Sequence, residues 1–538
     1  MTRFEGLCVS QFSVISLLVK EILYINEVVL GTVFGILIGP YCANVFDPRS
    51  WGGDTERITL EVTRIVLAVG LFAIGAELPR SYMADHAKGL LIMVVPTMAF
   101  GWIVVAAFIY ALFPGYSYIS ALVVAACLTP TDPIISAAIV GGKFALEHVP
   151  IDLRHIISAE SAANDGLAYP FLSISIYLTT ESSSRVAVGK WFLIGWLYEV
   201  ILGTLLGAIL GWMCRHLMRF SYRKGIADRK SYIAQYLALT FFTIGVCYTI
   251  GSDDLLAAFA AGTAINWDGY FIAQTEGEAF SSVVDLLLNC ACFIYIGAWL
   301  PFDQFNQPDL GITPWRLIIL FLVILALRRI PSLLLLYRWV PEISNWREAI
   351  LCRDIEPALY LGPMGVGAVF ISTLALTRLP EPQFPPQTEA ELLAATLQTI
   401  VSFVVLGSII IHGLSIHFFS LGKNVRSRTL TMSRTLTLGG SGPEWLSGVH
   451  RFTRTSAGIQ RSSTPSLTVA EQGSVEDEAK ETAKPHIPHS VSTHSFMSDL
   501  TRKNEDCLRD GVPSDYNGKI RPSGPGELRN HSPYRVSE

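Results

Sequence analysis

Charge is scarce in this sequence: only 16% of its 538 residues are Asp, Glu, Lys or Arg, against 51% hydrophobic residues and a mean hydropathy of +0.43. So little charge excludes an ordinary soluble domain, which would need an implausibly large dry core, whereas a bilayer removes that difficulty. The basic residues form short clusters between apolar runs and no continuous face, so the net charge of −5 gives no ground for a nucleic-acid partner. The nine cysteines show neither a CxxC nor a Cys/His ligand spacing. Cys127, Cys214, Cys247, Cys290 and Cys292 sit inside apolar runs, so free thiols are expected, with no disulfide framework and no zinc. The N-terminus also lacks a basic n-region followed by a small-residue cleavage site, so the first hydrophobic stretch is expected to stay in the mature protein.

What the sequence has is apolar length. Runs of about 20 apolar residues, the length a helix needs to cross hydrocarbon, lie near 23–42, 58–78, 90–113, 117–141, 153–179, 191–218, 232–251, 253–267, 280–300, 315–338, 357–376 and 397–420. With a short thirteenth at 8–20, they predict an all-α polytopic membrane protein of 12–13 transmembrane helices. Proline and glycine inside several runs are tolerated, because neighbouring helices and side chains satisfy the freed backbone groups.

Lys and Arg cluster most strongly at 214–231 (Arg215, Arg219, Arg223, Lys224, Arg229, Lys230), and the loops near 79–89, 141–154 and 339–356 are basic too. The bias of short loops places these on the cytoplasmic side. The loops 114–116 and 301–314 have no Lys or Arg, and 377–396 is mainly acidic, so they are expected outside. One loop, 268–280, fits poorly: it is expected inside yet has no basic residue. From about 421 the composition turns to Ser, Thr, Arg, Pro and Gly, too polar to offset the entropy of ordering. The expected division is a membrane domain over 1–420 and a disordered cytoplasmic tail over 421–538. The basic start of that tail, Lys423 to Arg434, either lies on an anionic inner leaflet or serves only as a stop-transfer flank, and its Ser/Thr runs invite a kinase or a regulatory protein.

An ionised side chain inside a membrane span costs about 2.5 to 3.5 kcal/mol on insertion scales, which makes each one a functional candidate. In Leu128-Thr129-Pro130-Thr131-Asp132-Pro133, two prolines remove backbone donors in the middle of an apolar run. The helix there is expected to break, freeing carbonyls that can coordinate a cation, with Asp132 capping the helix that restarts at Pro133. A plain proline kink with a capping Asp is the competing reading. In Ser158 to Gly166 the spacing says more: at about 100° per residue, Ser161 and Asp165 share one stripe, Glu160 and Asn164 another, and Glu160 and Asp165 diverge by about 140°. One acid is free to face an ion with a hydroxyl beside it, while the other needs a partner on another helix. Arg328 and Arg329, mid-run just before Pro331, offer that partner, because an unpaired guanidinium there is prohibitive. Glu77, near a run end, reads equally as an interfacial acid, and one of Asp253 and Asp254 is expected to cap the helix that follows.

Thr131-Asp132-Pro133, Glu160-Ser161 with Asn164-Asp165, Gly362-Pro363-Met364-Gly365-Val366-Gly367-Ala368 and His412-Gly413-Leu414-Ser415 together resemble the monovalent cation/proton antiporters, and most of all the fungal plasma-membrane sodium/proton antiporters. The resemblance covers roughly residues 10–435. It implies inverted repeats, a six-helix core with two crossed, interrupted helices, and a second bundle that dimerises. It also implies that Asp165 alternately takes a proton or a cation, supported by Asn164 and by the unwound Thr131-Asp132 segment, and that Glu160 pairs with Arg329. A serine and a distant acid approach the ion in some relatives, which nominates Ser161 and Glu77. Animal exchangers carry an arginine where this chain has Val366, so no role of that arginine carries over.

On this reading the chain is no enzyme and needs no cofactor. It carries Na+, with Li+ and K+ as further candidates, against H+ for pH and salt homeostasis, and sits in the lipid bilayer as a homodimer. The second position of the Asn164-Asp165 pair being an amide leaves one mobile carboxylate charge, so electroneutral exchange is expected, with Asp132, Asp253 and Asp254 as further titrating candidates. Two other readings compete. A cation channel needs a filter-like repeat, which is absent. An intramembrane aspartyl hydrolase needs two facing acids, whereas Asp132 and Asp165 sit amid Thr, Ser and Asn that suit a hard cation.

Overall fold

An apolar run in a membrane leaves the backbone one local way to satisfy its N–H and C=O groups, the helix. A computed structural model of the chain describes residues 27–53, 55–140, 151–226, 228–275, 280–341 and 362–437, apart from the side chains of 137–140, 229–230, 280–282 and 415–437. All belong to the first of two units, Met1–Pro443. Among the described residues there is no strand, only an isolated bridge between Gln307 and Ile312.

The main helices are α1 (Glu27–Ile38), α2 (Thr55–Glu77), α3 (Ala87–Leu112), α4 (Tyr118–Cys127), α5 (Pro133–Val140) and α6 (Ile151–Thr180). They continue with α7 (Ser184–Arg223), α8 (Arg229–Ile250), α9 (Asp254–Ile265), α10 (Phe280–Trp299) and α11 (Pro314–Leu327). The last are α12 (Ile330–Leu336), α13 (Val366–Leu376) and α14 (Glu389–Thr437). Six stretches among the described residues are long and apolar enough to cross a bilayer. The chain is an all-α polytopic membrane protein.

Two interruptions, the first of them expected from its prolines, and one extension have local causes. The run 117–141 is two helices, α4 and α5, separated by the proline-bearing segment Leu128–Asp132. The run 315–338 breaks at Arg328 and Arg329, where Pro331 opens the next helix. The helix α14 runs on to Thr437, beyond the expected boundary at 420, since adding turns to a formed helix is cheap compared with starting one. The stretch 8–20, the loop 141–150 and the rest of the tail from 438 lie outside the described residues.

Close approach between helices sets the frame around α9. A Cβ on Gly207 or Gly211 of α7 would collide with the backbone at Ala257 or Ala261, and one on Gly262 with that of Phe72 in α2. With glycine on one side of each contact, α7 and α2 grip α9 from two sides and hold its N-terminus, Asp253-Asp254, beside α2. The loop after α9 is anchored as well: Asp268 pairs with Arg219 at 2.6 Å and Arg215 at 3.7 Å, and Asn266 donates to the carbonyl of Leu78 at 3.2 Å. The start of the 268–280 loop, at Asp268, therefore lies beside the end of α2 and the basic end of α7, and borrows from α7 the cations its own sequence lacks.

Candidate cation site

The site is built where two extended segments cross. Pro130 and Pro133 deny α4 a continuous hydrogen-bond ladder, and the chain runs extended to Asp132. The second segment, Gly362 to Gly365, enters α13, with Gly362 at φ +61, where a side chain would be strained. The segments meet directly: the Asp132 N–H donates to the Pro363 carbonyl at 2.7 Å. One Asp132 oxygen accepts from the N–H groups of Ile134 and Ile135 at 2.8 and 2.9 Å, and the other from that of Val366. A single carboxylate thus caps the N-termini of both α5 and α13, where helix dipoles favour negative charge. Val366 itself contributes its backbone donor.

Arg328 laces the same crossing through carbonyls, donating to Leu128 at 2.5 Å and to Gly362 at 2.9 Å. Arg329 turns the other way and meets Glu160 of α6 in a two-pronged pair, Nη1 to Oε1 at 2.9 Å and Nη2 to Oε2 at 2.8 Å. Glu160 also accepts from Asn164 at 3.1 Å. That amide donates to the Thr131 hydroxyl at 2.6 Å and accepts from the Thr131 N–H at 2.9 Å. Ser161 donates to the Thr131 carbonyl at 2.6 Å. Asn164 and Ser161 are thereby engaged in holding the unwound Thr131 segment against α6.

Asp165 differs from every acid around it. It is 1% exposed, and neither of its oxygens has a hydrogen-bond partner among the described residues. Gly367 lies against it so closely that a Cβ there would stand 2.6 Å from Oδ1. A cavity of about 420 Å³ leads from Asp165 to the end of the bundle formed by Arg57, the Gly251–Asp253 turn and Thr377-Arg378, opposite the basic loops. Of the acidic pair, Asp253 caps α9 by accepting from Leu256 N at 2.8 Å, and Asp254 pairs with Arg64 at 2.8 Å. Both line this cavity, while Glu77, at the far end of α2, does not.

Sequence reasoning passed over Arg64, Glu61, Glu199 and Arg378, all in the cavity wall. Glu61 and Arg64 lie within the apolar run 58–78 and Glu199 within 191–218, so the cost of charge in a span was a signal for all three. Glu199 further sits in a π-helical stretch, Trp191–Ile201, a distortion frequent at functional sites.

Among the described residues, the bundle buries a carboxylate without a hydrogen-bond partner where two interrupted segments cross, and a cavity reaches it from one end, an arrangement that ion-carrying membrane proteins use. The family described as sodium/hydrogen exchanger, transmembrane, matches residues 9–422, and the chain belongs to it. A probable Na+/H+ antiporter of Schizosaccharomyces pombe is 44% identical over 436 residues, 79% of this chain and 56% of that protein. The Na+/H+ antiporter of Saccharomyces cerevisiae is 40% identical over 444 residues, 80% and 44% of the two chains. The chain thus spans about half the length of these two relatives. It covers 89% of another S. pombe Na+/H+ antiporter, at 34% identity over 423 residues, 78% of this chain. In fold it is similar to the sodium proton antiporter MjNhaP1 of Methanocaldococcus jannaschii, with TM-score 0.57 and 15% identity over 78% of this chain and 97% of that one.

Proposed function

We propose that the chain exchanges sodium for protons across a membrane, with Asp165 as the seat for which the two ions compete. One observation carries the reading: Asp165 is buried and bonded to nothing described, while the neighbouring acids Asp132 and Glu160 are spent on backbone donors and on Arg329. A carboxylate with both oxygens open accepts either a proton or a hard cation, and never both at full strength. Alternation of that seat between the two faces then suffices for coupling. The printed names of the fungal relatives, Na+/H+ antiporters, support the same assignment.

The finer reading follows from the residues. Because Asn164 brings no second charge, one cation leaves for each proton entering, and the exchange is electroneutral. Li+ and K+ are candidate substrates beside Na+. The chain works as a homodimer of inverted repeats in the plasma membrane, with the basic loops and the tail on the cytoplasmic side, and serves pH and salt homeostasis. In that orientation the cavity at Asp165 opens outward.

The test is sodium-driven dequenching of a pH dye in proteoliposomes. Asp165→Asn is expected to abolish the signal while eluting as a monodisperse protein. Robust exchange by that variant refutes the site, and voltage-dependent current in the wild type refutes the one-to-one stoichiometry.

A further inference from the structure

The cavity that reaches Asp165 is lined by ionisable groups of both signs, Glu61, Glu199, Asp253 and Asp254 against Arg57, Arg64 and Arg378. Several are already committed. Asp253 is a helix cap, and Arg378 donates to the Tyr169 hydroxyl at 2.6 Å. Arg64 is the cation set deepest in acid: only 7% exposed, it pairs with Asp254 at 2.8 Å and with Glu61 three residues earlier on its own helix. Its guanidinium lies over the Tyr248 ring at 4.7 Å and the Phe370 ring at 5.7 Å. Phe370 belongs to α13, the helix whose Gly367 touches Asp165. Without Arg64, two carboxylates would line the same cavity as the buried Asp165, whose oxygens have no partner among the described residues. Two acids at a cavity wall attract and retain small cations by focusing the field.

We propose that Arg64 is a tethered cation that occupies the Glu61–Asp254 acid pair, so that a sodium ion on its way to or from Asp165 finds no competing seat in the cavity. Arg64 is on this view a positioning residue that sets how tightly sodium is held from one face only. The proposal rests on Asp165 being the transported-ion seat, and its test separates the two ideas.

Sodium binding to purified protein is measured with 22Na+ in a scintillation proximity format, alongside transport assayed from each face in sealed vesicles of both orientations. Asp165→Asn alone is expected to lose sodium binding; if it binds as the wild type does, the reading of Asp165 fails, whatever happens at Arg64. Asp165→Asn combined with Arg64→Gln is expected to gain a sodium site, which a third change, Asp254→Asn, removes. No gain of binding overturns the tethered-cation proposal. In the transporting background, Arg64→Gln is expected to lower KM for sodium on the cavity face by about threefold or more, with a lower maximal rate, while KM on the opposite face moves less than about twofold. Arg64→Lys keeps the charge but loses the planar stacking on Tyr248 and Phe370, and is expected to retain the wild-type KM. Equal behaviour of the Lys and Gln variants assigns Arg64 a packing role and overturns the proposal. Should Arg64→Gln not give a monodisperse protein, Glu61→Gln, at the more exposed partner, is expected to raise KM on the cavity face by about threefold through the excess positive charge. An unchanged KM there overturns it equally.

Discussion

Replacing Glu160 by glutamine removes one formal charge from a pair closed by two hydrogen bonds, at 2.9 and 2.8 Å. Both partners are buried, so the guanidinium of Arg329 is left uncompensated among apolar helices. Breaking a buried ion pair from one side costs about 3–5 kcal/mol. The amide oxygen that remains still accepts one bond from Arg329 or Asn164, which points to the lower end, about 3 kcal/mol. Domains of about 200 residues lose about 2–4 °C per kcal/mol, and larger ones less, so a fall of roughly 5 °C in the melting midpoint is expected. Size-exclusion chromatography of purified protein after stepwise heating reads this directly. Glu160→Leu with Arg329→Met empties the site of charge and is expected to melt within about 2 °C of the wild type, since apolar replacement of a buried pair is often neutral or better. A single variant as stable as the wild type, or a double variant no better than the single, would refute the argument that this pair joins α6 to the break between α11 and α12.

Two further changes probe the crossing. Gly367→Ala places a methyl group 2.6 Å from Asp165 Oδ1 and turns the carboxylate aside, so exchange in proteoliposomes is expected to fall by about tenfold or more with little change in melting. Wild-type exchange in that variant would place the working acid elsewhere. Asp132→Asn leaves one of three backbone donors, from Ile134, Ile135 and Val366, facing an amide NH2, at a cost of about 1–3 kcal/mol. Hydrogen exchange at the amides of 134, 135 and 366 is expected to speed up, and unchanged protection there would contradict the capping role.

The crossing was legible because prolines and acids are expensive where they stand. Pro130 and Pro133 announce a broken ladder, and an angle of about 140° between Glu160 and Asp165 sends the two acids to different surroundings. What could not be read is which partner each group finds. Arg64 pairs with an acid at the start of another helix, and nothing in the local pattern of α2 names Asp254. The acceptors of Arg328 are main-chain carbonyls, which carry no sequence signal at all. The 268–280 loop misled for the same reason: side counting sees only a loop's own residues, whereas Asp268 takes its countercharge from Arg215 and Arg219 of α7. The continuation of α14 past 420 was hidden because composition reports burial, and a helix already under way does not need it.

The stitch made by Arg328 has a mechanical corollary. Its threads end on carbonyl oxygens of distant stretches of backbone, Leu128 and Pro130 on one side and Gly362 on the other, so the unwound part of one helix cannot slide relative to the segment leading into α13 without threads parting. On the proposed mechanism, a rearrangement that presents Asp165 to a new side is expected to carry this knot intact, as cargo, and to hinge in the surrounding scaffold. Gly362 is where the knot is tightest, because even a methyl group there would press on the guanidinium itself.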